Sequence, residues 1–390
     1  MKYYTTKLGK FCSENENWEE VLSNPPYNLK INRDGDYVIF NYNQINSDFS
    51  NEIVREARGI IFREGQWQGP VCHAFDKFGN YGETYVPEID WDSAVVTEKV
   101  DGSLIKIWYD ERWHISTNGT INAFKAEMNN VKFQTYGDLF LQCFNMNSED
   151  RVVGFFFNIH PTGELLNFLE SLNKNYTYMF ELVGPYNRVV IPYKETKLYF
   201  LGLRNEDGMV KPFHQCPAIV TKMRTYGVDT PKVYHLRSLE QCIEATQELP
   251  WDEEGYVVDD IKGNRVKIKS PAYVTAHYVR TTRAITERVL IQIILSNEIE
   301  EFLIYAEDYR EELFSVKRAM EVFELYHEIC LEEIKDKDFI NRKEFAFEVQ
   351  KYPIYVRPYL FLNFDRTITF KEYTENWSVE KWEEMINNNV

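Results

Sequence analysis

Lys99 ends an apolar run, Ala94 to Thr97, and is followed by Asp101-Gly102-Ser103 and a second alternating run, Leu104 to Tyr109. The pattern predicts a strand, a tight turn and a strand, with the lysine at the lip of the turn. An amine held there is presented into a cleft rather than laid along a surface. Further on, Arg265, Lys267 and Lys269 alternate with Val266 and Ile268. Period two puts the three cations on one strand face, where they repel one another unless an anion lies between them. A solvated edge strand guarded by lysines gives the same pattern. Glu181 interrupts the apolar run Tyr178 to Pro185, and burying a carboxylate there is costly without a partner. Either it alternates out to water or it faces a cleft. Glu253-Glu254-Gly255 opens the strand Tyr256-Val257-Val258 just before the basic one. The chemistry on offer is an amine set opposite an anion-binding face, with carboxylates beside it.

These residues need a scaffold. A chain of 390 residues has room for two domains and a sizeable core, and its 26 Tyr, 26 Phe and 8 Trp supply ample apolar area. No apolar stretch reaches the roughly 18 residues of a membrane span, and the amino terminus lacks the apolar core of a signal peptide. Six cysteines, at 12, 72, 143, 216, 242 and 330, form no C-x-x-C pair. That argues against zinc and disulfide frameworks and fits a reducing cytoplasm. A net charge of −17 argues against a nonspecific polyanion binder but leaves room for a local basic cleft.

The chain changes character part-way. Up to about residue 275 it reads as strands and turns: Tyr37–Tyr42 after an Asp-Gly turn, Trp113–Thr117, and Lys197–Arg204. A helical pattern covers Ala126–Phe144, a turn is expected at His160-Pro161, and 205–250 is linker-like with a short helix around Leu239–Glu248. All 18 glycines lie at or before Gly263, and no proline occurs between Pro271 and Pro353. The lack of chain-breakers favours long helices. Val316, Met320, Phe323, Cys330 and Ile334 fall at helical spacing, a core stripe. The aromatic run Tyr352–Phe364, broken by two prolines, is expected to pack back onto this bundle. Residues 281–390 carry 23 acids and 14 bases, so the helical part is also the more acidic per residue.

Taken in order, the motifs resemble those of the covalent nucleotidyltransferases, and within them the RNA ligase 1 family, the phage-type tRNA-repair ligases. Lys99-x-Asp-Gly-Ser resembles motif I. Ala57-Arg58-Gly59-Ile60-Ile61-Phe62 and Lys77-Phe78-Gly79-Asn80 resemble the elements before it. Phe180-Glu181-Leu182-Val183-Gly184-Pro185 with Asn187-Arg188-Val189-Val190 resembles motif III, and Lys197–Arg204 stands where motif IIIa belongs. Glu254-Gly255-Tyr256-Val257-Val258 and Lys267-Ile268-Lys269 resemble motifs IV and V. The resemblance covers roughly residues 37–275. It departs from the family at Ser116 and Asn118, where basic residues often stand; their hydroxyl and amide could hydrogen-bond a nucleotide but bring no charge.

The resemblance implies an α+β fold. A nucleotidyltransferase domain of antiparallel sheets flanked by helices would span 1–274, and an all-helical carboxy-terminal domain that helps select RNA would span 275–390. It implies an ATP-dependent RNA ligase. Lys99 would attack the α-phosphorus of ATP to form lysyl-AMP. AMP would pass to an RNA 5′-phosphate, and a 3′-hydroxyl would then seal the strand, as in repair of a cleaved tRNA anticodon loop. Free lysine has a pKa of about 10.4, so Lys267 and Lys269, with a bound metal, are expected to disfavour its protonated form and to neutralise the α-phosphate. Glu254 first, and Glu181, would serve Mg2+ or Mn2+, with Glu181 serving also the ribose. Glu98 would read the adenine edge, Arg58 and Lys77 would hold the outer phosphates, and Arg188 would approach the RNA end. The expected protein is a cytoplasmic monomer without membrane contact. The competing readings are a capping-type guanylyltransferase or DNA ligase, which usually carry an OB-fold after motif V, and a catalytically silent RNA-end-binding module.

Overall fold

The computed structural model describes residues 4–146, 163–279 and 285–389, apart from positions 45, 84, 129, 131, 297, 338, 340, 366 and 376. The turn expected at His160-Pro161 lies outside them. Among the described residues twelve strands form three antiparallel sheets. The first joins β1 (Lys30–Asp34), β2 (Tyr37–Asn41) and β3 (Arg58–Arg63) in that order. The second has the order β10-β4-β11-β12, built from β4 (Val95–Glu98), β10 (Val233–Tyr234), β11 (Gly255–Asp259) and β12 (Arg265–Lys269). The third has the order β6-β5-β7-β8-β9, from β5 (Ser103–Asp110), β6 (Arg112–Thr117), β7 (Thr177–Val183), β8 (Lys197–Arg204) and β9 (Val210–Pro212). With its flanking helices this is an α+β architecture.

The strands flanking Lys99 are not a hairpin, contrary to the local pattern. Both edges of β4 are taken, by β10 and β11, so β5 cannot pair with it. Residues 99–102 instead carry the chain from the second sheet to the third. Two anchors fix this crossing. The Lys99 N–H donates to the Gly255 carbonyl at 2.9 Å. The buried Asp101 carboxylate accepts from the Val190 and Ile191 N–H groups at 2.9 and 2.8 Å and from the Tyr273 hydroxyl at 3.0 Å.

Residues 205–250 are not a linker. β9 extends the third sheet, β10 closes an edge of the second, and helices Pro217–Arg224 and Leu239–Gln247 lie between and after them. The helix expected over 126–144 is confined to Tyr136–Gln142, because Thr135 and Asp138 form a reciprocal capping box that starts it there.

β12 alternates as its sequence requires. Val266 and Ile268 are buried in a core with Val96, Tyr256, Val258 and Cys242, and the cationic face looks the other way. The third sheet has its own core, with Ile105, Ile107, Phe168, Phe180 and Phe200 at its centre. At roughly 25 cal/mol per Å2 of apolar surface, such aromatic packing is what holds the site's two walls rigid.

The chain divides into two compact units, Met1–His277 and Tyr278–Val390. The second is helical, with Glu287–Leu295, Arg310–Lys335, Arg342–Val349, Arg357–Asp365 and Val379–Asn389 among its elements. Met320, Phe323, Cys330 and Ile334 are buried along Arg310–Lys335, with Val316 half-buried beside them. Tyr359 and Leu360 of the proline-broken aromatic run pack into the same core. No described helix is long and apolar enough to cross a membrane.

Gly102 shows how tightly the crossing is built. A Cβ there would stand 2.5 Å from the Leu182 carbonyl oxygen and 3.0 Å from Glu181 Cγ. Gly102→Ala is therefore expected to destabilise the chain by about 1–3 kcal/mol through overpacking, measured by urea unfolding. Unchanged stability would mean the crossing is not packed against β7.

Candidate active site

The crossing opens onto a cleft of 310 Å3. The second sheet supplies Glu98 at the end of β4 and Arg265, Lys267 and Lys269 from β12; the third supplies Glu181 from β7 and Leu201 from β8; Arg58 enters from β3. Lys77 comes from the loop before β4, and Lys99 lies on the crossing itself. One cavity thus gathers Arg58, Lys77, Glu98, Lys99, Glu181, Lys267 and Lys269 from five separate stretches of sequence.

Glu254 completes the set through Lys99: the lysine Nζ lies 2.6 Å from Glu254 Oε1. Glu254 is buried, and its Oε2 has no hydrogen-bond partner among the described residues. A buried carboxylate oxygen without a donor costs free energy unless something else binds it. Expectation placed Glu254 beside a metal and gave the work on Lys99 to two lysines. In the structure Glu254 is in ionic contact with Lys99, and Lys267 and Lys269 line the same cavity.

Glu181 stands opposite Leu104 in the β5–β7 ladder. Burial pushes its carboxyl up to about 8, against the opposing pull of Lys99, while Glu254 pushes the same way as burial. Glu98 is held at the cleft's edge, where one carboxylate oxygen accepts the Lys232 N–H at 3.1 Å. Aromatic rings carry the cations. Lys77 Nζ sits 4.9 Å from the Phe49 ring centre and 5.4 Å from Tyr42; Arg58 and Lys267 sit 5.7 and 5.5 Å from Phe78. Each ring stabilises a cation without neutralising its charge. Arg265 differs. It stacks on Phe75 at 3.8 Å and pairs with the buried Asp259. Burial would raise the Asp259 carboxyl, but Arg265 and His214 together hold it below the usual range. Arg265 therefore serves as a tether at the end of the cationic face.

Two residues singled out in the sequence lie outside the cleft lining. Ser116 is fully buried, accepting from the Trp108 indole N–H at 2.8 Å and donating to the Ile121 carbonyl at 2.5 Å, so its hydroxyl is not available to a nucleotide. Arg188 is exposed, donates to the Val190 carbonyl at 2.8 Å, and is not among the residues lining the cleft. Asn118 does line it. Sequence reasoning missed Asp101 as the anchor of the crossing and Phe75 and Phe78 as the ring platform. Asp101 was in view inside the Lys-x-Asp-Gly motif, and the rings flank Lys77.

The RNA ligase family model matches residues 56–273 of the chain. The chain belongs to the RNA ligase 1 family. A relative in the family is the RNA ligase of Rhodothermus phage RM378, 26% identical over 344 residues, 73% of each chain. A protein of Autographa californica nuclear polyhedrosis virus, named for both a polynucleotide kinase and an RNA ligase, is 29% identical over 296 residues. That match takes in 70% of this chain but spans 38% of the length of the baculovirus protein. Among solved structures, an archaeal ATP-dependent RNA ligase overlaps 85% of each chain at 12% identity and a TM-score of 0.44. The family match runs from just before Arg58 to just beyond Lys269, and so encloses every side chain that lines the cleft except Tyr42.

The raised value of Glu181 has a measurable consequence. The folded chain keeps a proton between pH 4.5 and about 8 that the unfolded chain has released. The stability contribution of this group therefore falls as pH rises through that window. In chelator-containing buffer, Glu181→Gln should match the parent near pH 4.5 and exceed it above pH 8, by roughly 1–3 kcal/mol after screening by water in the cleft. Denaturant unfolding across pH measures this, and parallel profiles for the two proteins would contradict it.

Proposed function

We propose that the chain is an ATP-dependent RNA ligase that works through a lysyl-AMP intermediate. The observation that carries this reading is one amine, Lys99, seated against a buried carboxylate within a cleft whose other wall is the Lys267–Lys269 strand face. In the first step the Lys99 nitrogen bonds to the α-phosphorus of ATP, the bond from that phosphorus to the pyrophosphate oxygen breaks, and the amine proton is released. The lone pair must be free for this, so Lys99 has to lose a proton before attack, and the neutral amine can still donate an N–H to Glu254. Lys267 and Lys269 would stabilise negative charge as it builds at the α-phosphate. Arg58 and Lys77, held over their rings, would take the outer phosphates, and Glu98 the adenine edge.

Two carboxylates plus phosphate oxygens and water make a magnesium-type site. Among the described residues no cluster of three or more His, Cys, Asp or Glu forms a self-sufficient metal site. Glu254, with its orphaned oxygen, and Glu181 would hold Mg2+ or Mn2+, which when bound supplies positive charge at the phosphates. The same cation would give Glu254 a partner other than Lys99.

In the following steps AMP passes from Lys99 to an RNA 5′-phosphate, and a 3′-hydroxyl displaces it to form the phosphodiester. The motifs' resemblance to the tRNA-repair ligases is the ground for taking a broken RNA loop, such as a cleaved tRNA anticodon, as the substrate. The helical unit 278–390 would contribute to its selection, and Arg188, exposed and outside the cleft lining, would approach the RNA end.

With α-labelled ATP and a divalent cation, the protein should form an acid-labile AMP adduct that survives denaturation, and GTP should form none. It should also seal a 5′-phosphorylated RNA to a 3′-hydroxyl end. Lys269→Ala should slow adduct formation on the order of 100-fold or more. A GMP adduct would point to capping chemistry, and no adduct of either kind would overturn the reading.

A further inference from the structure

Beneath the cleft lies a cation that the proposed reaction does not use. Lys106, in the middle of β5, is fully buried, and among the described residues no carboxylate pairs with it. Its ammonium donates to the Gly59 carbonyl at 2.5 Å. Burial pushes it down to about 8, Cys72 works in the opposite sense, and Arg58 adds to the lowering. A methionine of similar length would fill this space at lower cost in desolvation. A buried charge kept at such a cost calls for a use.

Its surroundings supply one. Lys106 faces Ser116 across the β5–β6 ladder, and two residues beyond Ser116 stands Asn118, which lines the cleft. Gly59 follows Arg58, which lines it too. A Cβ on Gly59, whose φ is +71°, would meet the Asn118 carbonyl oxygen at 2.2 Å and Lys106 Nζ at 2.7 Å. Three chain segments therefore converge on one point, and it stays open because residue 59 has no side chain. Two of them carry a cleft side chain, and the third carries the buried ammonium.

We infer that Lys106 is a positioning residue for the triphosphate side of the cleft: its bond from β5 to the Gly59 carbonyl fixes the start of β3 where it packs against the Asn118 carbonyl, so that Arg58 and Asn118 are held facing the bound nucleotide. The inference rests on the ligase reading above. It also gives the missing charge at Ser116 and Asn118 a local explanation, since a lysine on the paired strand stands directly opposite Ser116.

The test is adenylylation kinetics with ATP together with unfolding of the same proteins. Lys106→Met should raise the KM for ATP about tenfold while changing the single-turnover rate at saturating ATP by less than about threefold. Its stability should equal or exceed that of the parent, which a merely structural lysine would not allow. Gly59→Ala, which crowds the ammonium from the other side, should raise KM in the same way. Lys106→Arg should restore part of the affinity. An unchanged KM in Lys106→Met would overturn the inference while leaving the ligase reading intact, as would a stability loss that accounts for all lost activity. A parent protein that forms no AMP adduct would remove the ligase reading itself.

Discussion

The contact between Lys99 and Glu254 lies where the chain leaves one sheet for another, and the geometry of the cleft follows from it. The lysine is on the crossing, and the carboxylate immediately precedes the strand that pairs with the end of β4. Because the Lys99 N–H is also bonded to the Gly255 carbonyl, backbone and side chain are fixed by the same pair of residues. A nucleophile held at both levels loses little further freedom when its target arrives, and positioning is much of what catalysis of phosphoryl transfer requires.

A second constraint is electrostatic. Six cations line one cleft, Arg58, Lys77, Lys99, Arg265, Lys267 and Lys269, and several of them rest on aromatic rings. Like charges gathered in a partly enclosed space raise its potential, and a polyanion lowers it again. That local field exists within a chain of net charge −17, so the acidic balance of the whole says nothing about this one surface. Glu181, whose carboxyl is pushed above its ordinary range, lessens the negative charge beside Glu254 until a cation or a nucleotide changes the balance.

Much of this could be read from the residues. The period-two alternation of Arg265 to Lys269 fixed which side chains share a face, and β12 buries Val266 and Ile268 as that pattern demands. The helical tail followed from missing glycine and proline, and the stripe from Met320 to Ile334 lies in its core. What the sequence could not supply was the choice of partner. Alternation identifies β4 and β5 as strands but not the sheets they join, so a hairpin and a crossing look alike. Asp101 escaped notice for a related reason: its ligands are 89, 90 and 172 residues away. Ser116 looked available because a serine at a strand end often is, whereas here Trp108 and Ile121 consume its hydroxyl. Arg188 sits in a well-matched motif, yet its side chain turns back to Val190.

The central claim is that one amine, and no other, becomes covalently nucleotidylated. Incubation with ATP and a divalent cation, followed by proteolysis and mass spectrometry under conditions that preserve phosphoramidates, locates the modified residue directly. The account predicts AMP on the peptide containing Lys99, with Lys267, Lys269 and Lys106 unmodified. AMP on any other residue, or an adduct of equal yield in Lys99→Ala, would contradict it.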